Sequence, residues 1–156
     1  MSYTVTVVVA ADPDAVWSRL TDVEGWPEWN PACVSTEGSS PFAVGGRLRL
    51  QMRLPRGRTF WTAPVLTELV APSRIAWETR ALGIRAPMIT TLDLDPDGTL
   101  VTLSSYSRGP LGFSYRLTFP EKTQAQMWSG ALTGLARSFG ERVPPLSGGR
   151  DAPRPG

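Results

Sequence analysis

From Tyr3 to Val9 apolar side chains recur at alternate positions in a run dominated by Val and Thr, the pattern of a half-buried strand. Asp12 stands where a helix N-cap would, and Pro13 fills a first helical position that needs no amide partner. Val16, Trp17 and Leu20 then recur on one helical face, which predicts a short helix over Pro13–Asp22. Gly25 stops that helix, and Pro27 and Pro31 bracket one further turn on which Trp26 and Trp29 share a face. Strands follow near Cys33–Glu37, Arg47–Leu54, Arg58–Val70, Arg74–Arg80, Pro87–Asp95 and Leu100–Tyr106. Gly45-Gly46, Pro55-Arg56-Gly57, Ala71-Pro72-Ser73 and Asp95-Pro96-Asp97-Gly98 supply the reversals between them, and connections this short favour antiparallel pairing. Ser114–Thr118 is a candidate last strand. From Glu121 the period changes: Met127, Trp128, Ala131, Leu132, Leu135 and Phe139 share one broad face of a helix expected to run to about Val143.

One strand, two short helices, a meander and one long C-terminal helix describe an α+β domain over residues 1–143. A curved antiparallel sheet of about seven strands needs cover on one face and has a single apolar helix to supply it. Residues 144–156, rich in Pro and Gly, bury too little to offset the entropy of ordering and read as a disordered tail. Gly130 and Gly134 sit four apart on the covering helix, where each costs about 1 kcal/mol relative to Ala. Either the helix approaches its neighbours closely there, or the missing side chains leave room for a ligand.

Strand alternation divides each strand into two faces. The apolar sets form the expected wall of an enclosed pocket: Leu48, Leu50 and Met52, then Trp61, then Ile75 and Trp77, then Met88, Thr90 and Leu92. Trp128, Leu132 and Leu135 close it from the helix. Opposite them, Glu78 and Arg80 read as a solvated pair on the convex face. Arg47, Arg49, Gln51 and Arg53 read as a stripe facing water that is also able to touch an acidic partner. Trp17, Trp26 and Trp29, beside the helix breakers, suit the locking of the small helices onto the sheet.

Composition narrows the chemistry. The chain has 156 residues, the size of one ordinary domain, and carries 16 basic and 14 acidic residues for a net +2. With its arginines scattered among carboxylates, a nucleic-acid footprint is unsupported. The longest apolar run, Val7–Ala11, is far shorter than a spanning helix needs, and a soluble, cytoplasmic protein is expected. Fifteen Pro, 15 Gly and a basic complement that is arginine but for Lys122 suggest a bacterial source of high GC content. Cys33 stands alone and there is no histidine, so thiolate clusters, His-based metal sites and Ser-His or Cys-His nucleophiles are excluded. No cofactor is called for. Catalysis, if present, would use a polar group held in a dry cavity, and Tyr106, Tyr115, Arg116 and Glu68 are the candidates by position.

Ala11-Asp12-Pro13-Asp14-Ala15-Val16-Trp17, Leu20-Thr21-Asp22 and Trp26-Pro27-Glu28-Trp29-Asn30-Pro31 together resemble the opening of the START-like, or SRPBCC, superfamily. Val44-Gly45-Gly46, the turn from Leu94 to Thr99 and the terminal helix extend the likeness over about residues 3–143, nearest to the polyketide cyclase/dehydrase-like group. The resemblance implies a helix-grip fold, a hydrophobic small-molecule ligand and, as a possible partner for the stripe of Arg47, Arg49 and Arg53, an acyl-carrier protein. For function it implies either cyclisation or dehydration of a polyketide-like or aromatic intermediate, or non-catalytic carriage or sensing of a lipid or other apolar metabolite. A chaperone-associated interaction domain is a third, weaker implication.

Overall fold

A computed structural model describes residues 2–37, 42–81, 84–106 and 121–140. Strand β1 (Ser2–Val9) leads into helix α1 (Pro13–Thr21), where the Asp12 carboxylate accepts the Ala15 amide at 2.9 Å and Pro13 sits at the first helical position. A 3₁₀ turn (Val23–Gly25) and the one-turn helix α2 (Trp26–Trp29) follow. The buried Asn30 side chain then accepts the Ala32 amide at 2.8 Å, turning the chain into β2 (Cys33–Glu37).

The next strands are β3 (Arg49–Arg53), β4 (Thr59–Thr62), β5 (Val65–Val70), β6 (Arg74–Ala81), β7 (Ile84–Asp95) and β8 (Gly98–Tyr106). All pair antiparallel, as a five-stranded sheet β1-β8-β7-β6-β5 and a three-stranded sheet β2-β3-β4. The single long strand expected over Arg58–Val70 is thus two. Ala63 and Pro64 divide it, because Pro64 has no amide to donate. The sheets stay joined at that corner: Leu48 donates to the Pro64 carbonyl at 2.9 Å, and Leu66 exchanges bonds with Gly45 and Gly46. The candidate strand Ser114–Thr118 and the expected tail lie outside the described residues.

Helix α3 (Glu121–Ser138) covers the sheet with Met127, Trp128, Ala131, Leu132, Leu135 and Ala136, all buried. It ends before the expected Val143. Gly140 takes a φ of 97° and its amide returns to the Arg137 carbonyl, a left-handed stop that other residues resist. The two glycines of α3 have different surroundings. A Cβ on Gly134 would stand 2.0 Å from the Trp29 carbonyl oxygen, so the helix touches the α2–β2 corner there, whereas a Cβ on Gly130 would meet no described atom within 4 Å. Arg19 ties α1 to the far end of α3. It donates to the Ser138 carbonyl and hydroxyl, both at 2.8 Å, and lies 4.0 Å over the Phe139 ring.

Candidate functional site

Cross-strand register determines which side chains line the space between the sheet and α3. Leu66, Trp77, Met88 and Ser105 are successive partners across β5, β6, β7 and β8, and Ile75, Thr90 and Leu103 form the next row. Tyr3 stands opposite Ser105 and Val5 opposite Leu103. These rows face the helix because their members are buried or half-buried, while the intervening Thr4, Asp93 and Arg85 are exposed. The backbone of α3 runs closest to β1 and α2.

Eleven of the twelve wall residues expected from sequence lie in this core: Leu48, Leu50, Met52, Ile75, Trp77, Met88, Thr90, Leu92, Trp128, Leu132 and Leu135. Trp77, Met88, Thr90 and Trp128 are buried, with 7–9% of their surface accessible. Trp61 is the exception. It pairs with Gln51 on the convex face, is 42% exposed and carries the Arg49 guanidinium 4.4 Å over its ring. Phe60, next to it, takes the inward position opposite Met52. Trp26 fastens the small helices as expected and also reaches the wall: its indole N–H donates to the Leu20 carbonyl at 3.1 Å, and its ring lies 5.5 Å from that of Trp77.

The catalytic candidates fare differently. Glu68 lies on the convex face in an ion pair with Arg74 at 2.8 Å, and its side chain is 44% exposed, so it does not reach the interior. Tyr106 closes β8 opposite Ser2, but its side chain, together with Tyr115 and Arg116, lies outside the described residues. Glu78 is on the convex face as expected but is not solvated: its carboxylate is nearly buried between Arg80 and Arg85. The polar groups that do face inward are hydroxyls. Thr90 is buried, Ser105 donates to the Pro87 carbonyl at 2.8 Å and keeps lone pairs free to accept, and the Tyr3 phenol oxygen is buried beside them. The odd-numbered parity of β1, Tyr3-Val5-Val7-Val9, was the signal that Tyr3 shares the inner face. Among the described residues no cluster of His, Cys, Asp or Glu has the makings of a metal site.

A separate cleft of about 230 Å³ opens between the end of α1, β2 and the segment entering β3. Val23, Phe42 and Leu48 give it an apolar floor, and Asp22, Glu24, Glu37, Arg47 and Arg49 a charged rim. Leu48 belongs both to this floor and to the interior core. Cys33, on the adjacent strand, is 3% exposed, and burial pushes its thiol up to about 11 from an ordinary 9.0.

The family model described as "Polyketide cyclase / dehydrase and lipid transport" matches residues 1–140. None of the functionally curated proteins matches the sequence. Solved structures resemble it closely in shape. Protein NE0264 from Nitrosomonas europaea is 19% identical, with 88% of this chain and 92% of that one covered and a TM-score of 0.68. TTHA0849 from Thermus thermophilus is 16% identical, covering 89% and 97% at 0.72. The di-domain ARO/CYC BexL from the BE-7585A biosynthetic pathway is 18% identical, covering 91% of this chain and 50% of that one at 0.73. At these identities the likeness establishes the helix-grip fold.

Proposed function

The chain belongs to the polyketide cyclase/dehydrase and lipid transport family, and on that premise we propose that it takes an apolar, polyketide-like or aromatic molecule between its sheet and α3 and promotes the cyclisation or dehydration of that molecule. The observation that carries this reading is the set of Trp77, Met88, Thr90 and Trp128, large or adaptable side chains buried on the inner faces of β6, β7 and α3, with the Thr90 hydroxyl among them. Apolar walls fold a flexible chain and bring its reacting carbons together, which is where most of the acceleration would arise. The Thr90 hydroxyl, in a water-poor site, would donate to a carbonyl oxygen as negative charge grows on it during carbon–carbon bond formation. The described inner wall holds no carboxylate. The reading therefore fits a substrate such as a poly-β-ketone, part of which is already enol, so that the enol carbon attacks a ketone carbon and the enol hydroxyl proton passes to the new alkoxide oxygen.

That same lack of an inner carboxylate among the described residues, with no histidine in the chain, favours a second reading in which the molecule is carried or sensed unchanged. Native mass spectrometry of gently purified protein, followed by incubation with a poly-β-ketone thioester and analysis of the cyclised products, separates the two. Binding with an altered product ratio supports catalysis, binding with unaltered products supports carriage, and failure to bind any apolar probe removes both. No described helix is long and apolar enough to cross a membrane. The free, buried cysteine and the Arg-, Pro- and Gly-rich composition suit a bacterial cytoplasm as the place of action.

A further inference from the structure

The cleft at the end of α1 stands apart from the interior, and its two walls carry different charge. Asp22 ends α1 and precedes the 3₁₀ turn, yet its carboxylate makes no capping hydrogen bond to that turn. Asp22 and Glu24 are both exposed, and among the described residues neither enters an ion pair. On the opposite wall the charges are engaged: Glu37 and Arg49 hold each other at 2.8 Å, and the Arg47 guanidinium reaches the Ala63 carbonyl at 3.5 Å. The free charge at the rim is thus negative and lies on the wall of α1 and the turn, where the negative end of the α1 dipole adds to it. Between the walls lie Val23 and Phe42, half-buried, and Leu48, buried.

We propose that this cleft is a binding site for a small primary amine with an apolar body, its ammonium group held by Asp22 and Glu24 and its body resting on Val23, Phe42 and Leu48. The site is distinct from the space between the sheet and α3, and it stands whether or not the interior molecule is transformed. Charge selects a cation, because an anion would face two free carboxylates while the guanidiniums it needs are already engaged. Hydrogen bonding selects an ammonium group in particular, which has three protons to donate. Two carboxylates can accept, and so can the Thr21 hydroxyl oxygen, whose own proton goes to the Trp17 carbonyl at 3.0 Å. The Phe42 ring adds a face that attracts positive charge and an edge of apolar surface. Size limits the rest: at about 30 Å³ for a liquid water, 230 Å³ is about eight such volumes, room for roughly eight to ten heavy atoms. That lies below the range of about 300–1,000 Å³ that larger organic ligands occupy, and it leaves out a peptide helix or a nucleotide.

The test is titration of benzylamine into isotope-labelled protein, beside benzyl alcohol, its neutral counterpart of equal size, and benzoate, its anionic one. Amide signals of residues 21–24, 36–37 and 47–49 should shift and saturate with a Kd of about 1 mM or tighter, in keeping with so few atoms. Both comparison compounds should bind at least about fivefold more weakly, and affinity for the amine should fall about threefold or more between low and high salt. Glu24→Gln should weaken binding about threefold, Asp22→Asn/Glu24→Gln about tenfold and Phe42→Ala about fivefold, whereas Arg47→Gln, which removes a like charge, should tighten it about twofold. Melting curves of each variant separate lost affinity from lost fold, and Glu24→Gln, at an exposed position, carries the test alone if the double variant unfolds. Shifts confined to the inner rows of Met88, Thr90 and Ser105, equal affinity for the amine and the alcohol, or carboxylate variants that bind as the parent does would overturn the proposal.

Discussion

The two glycines of α3 provide a matched pair of perturbations whose opposite signs follow from the geometry. At Gly134 an alanine methyl would lie 2.0 Å from the Trp29 carbonyl oxygen and 2.9 Å from Pro31 Cδ. A carbon–oxygen contact settles near 3.3 Å, so either α3 or the α2–β2 corner must retreat by about 1.3 Å. Overpacking of this kind costs about 1–3 kcal/mol or more, against which the helix gains about 1 kcal/mol when glycine is replaced. An overlap of about 1.3 Å against backbone belongs at the upper end of that range, so Gly134→Ala should destabilise by about 2 kcal/mol. At Gly130 no described atom lies within 4 Å of the new methyl, so only the propensity gain remains and Gly130→Ala should raise stability by up to about 1 kcal/mol. For a domain of this size that is a rise of roughly 3–5 °C in Tm. Thermal and urea melts of the two variants beside the parent measure both. A neutral or stabilised Gly134→Ala, or a destabilised Gly130→Ala, would refute the placement of α3. Ligand affinity adds a second readout: if the room beside Gly130 serves a ligand, Gly130→Ala will weaken binding while strengthening the fold.

Three further outcomes are expected. Thr90→Val removes an inward hydroxyl at nearly constant volume and should lower affinity for a carbonyl-bearing ligand by about three- to tenfold, roughly one neutral hydrogen bond, in a fluorescence titration; unchanged affinity would remove that hydroxyl from the site. Cys33, buried and with its thiol raised to about 11, should resist alkylation at pH 8 until the protein is unfolded. Because its folded pKa exceeds the unfolded one, the associated stability is present in full below about pH 9 and declines as pH rises toward 11, and Cys33→Ala should abolish that part of the slope in pH-dependent melts. Arg19→Ala breaks two hydrogen bonds to Ser138 and the stacking on Phe139, and should cost about 1–2 kcal/mol, seen as faster amide exchange at the end of α3.

Element order and most of the inner wall were legible because period-two alternation and turn residues are local properties. Leu48, Leu50 and Met52 alternate with Arg49 and Gln51 so cleanly that only one face can be buried. Trp61 was misread for a reason equally physical. Phe60 and Trp61 are adjacent aromatics, one of which must point outward, and hydrophobicity does not say which. The decision falls to the pairing of Trp61 with Gln51 and Phe60 with Met52, a register set by the β3–β4 turn. The division at Pro64 was signalled by the proline itself, yet the apolar run on either side masked it. Glu78 shows the limit of strand-by-strand reading. Arg80 is two residues away on its own strand, but Arg85 arrives from β7, and shielding by a neighbouring strand leaves no mark in local sequence. The acyl or aromatic nature of a ligand is less legible still, since apolar walls record volume and polarity rather than identity.

The two faces of the sheet divide the labour in a way that explains the chain's odd composition. The inner face must exclude water, so it spends its polar groups sparingly, as hydroxyls that can hydrogen-bond without carrying charge into a low-dielectric space. Ionised side chains are consequently displaced outward, where Glu37, Glu68 and Glu78 each bind an arginine. Surface pairs of this kind add little stability, but their distribution is uneven. The Glu37 pair takes Arg49 of β3, while Arg47, Arg53, Arg56 and Arg58 stand outside the ion pairs of the described residues. A fold stabilised by its apolar interior gains nothing from that imbalance, and self-repulsion among like charges works against it.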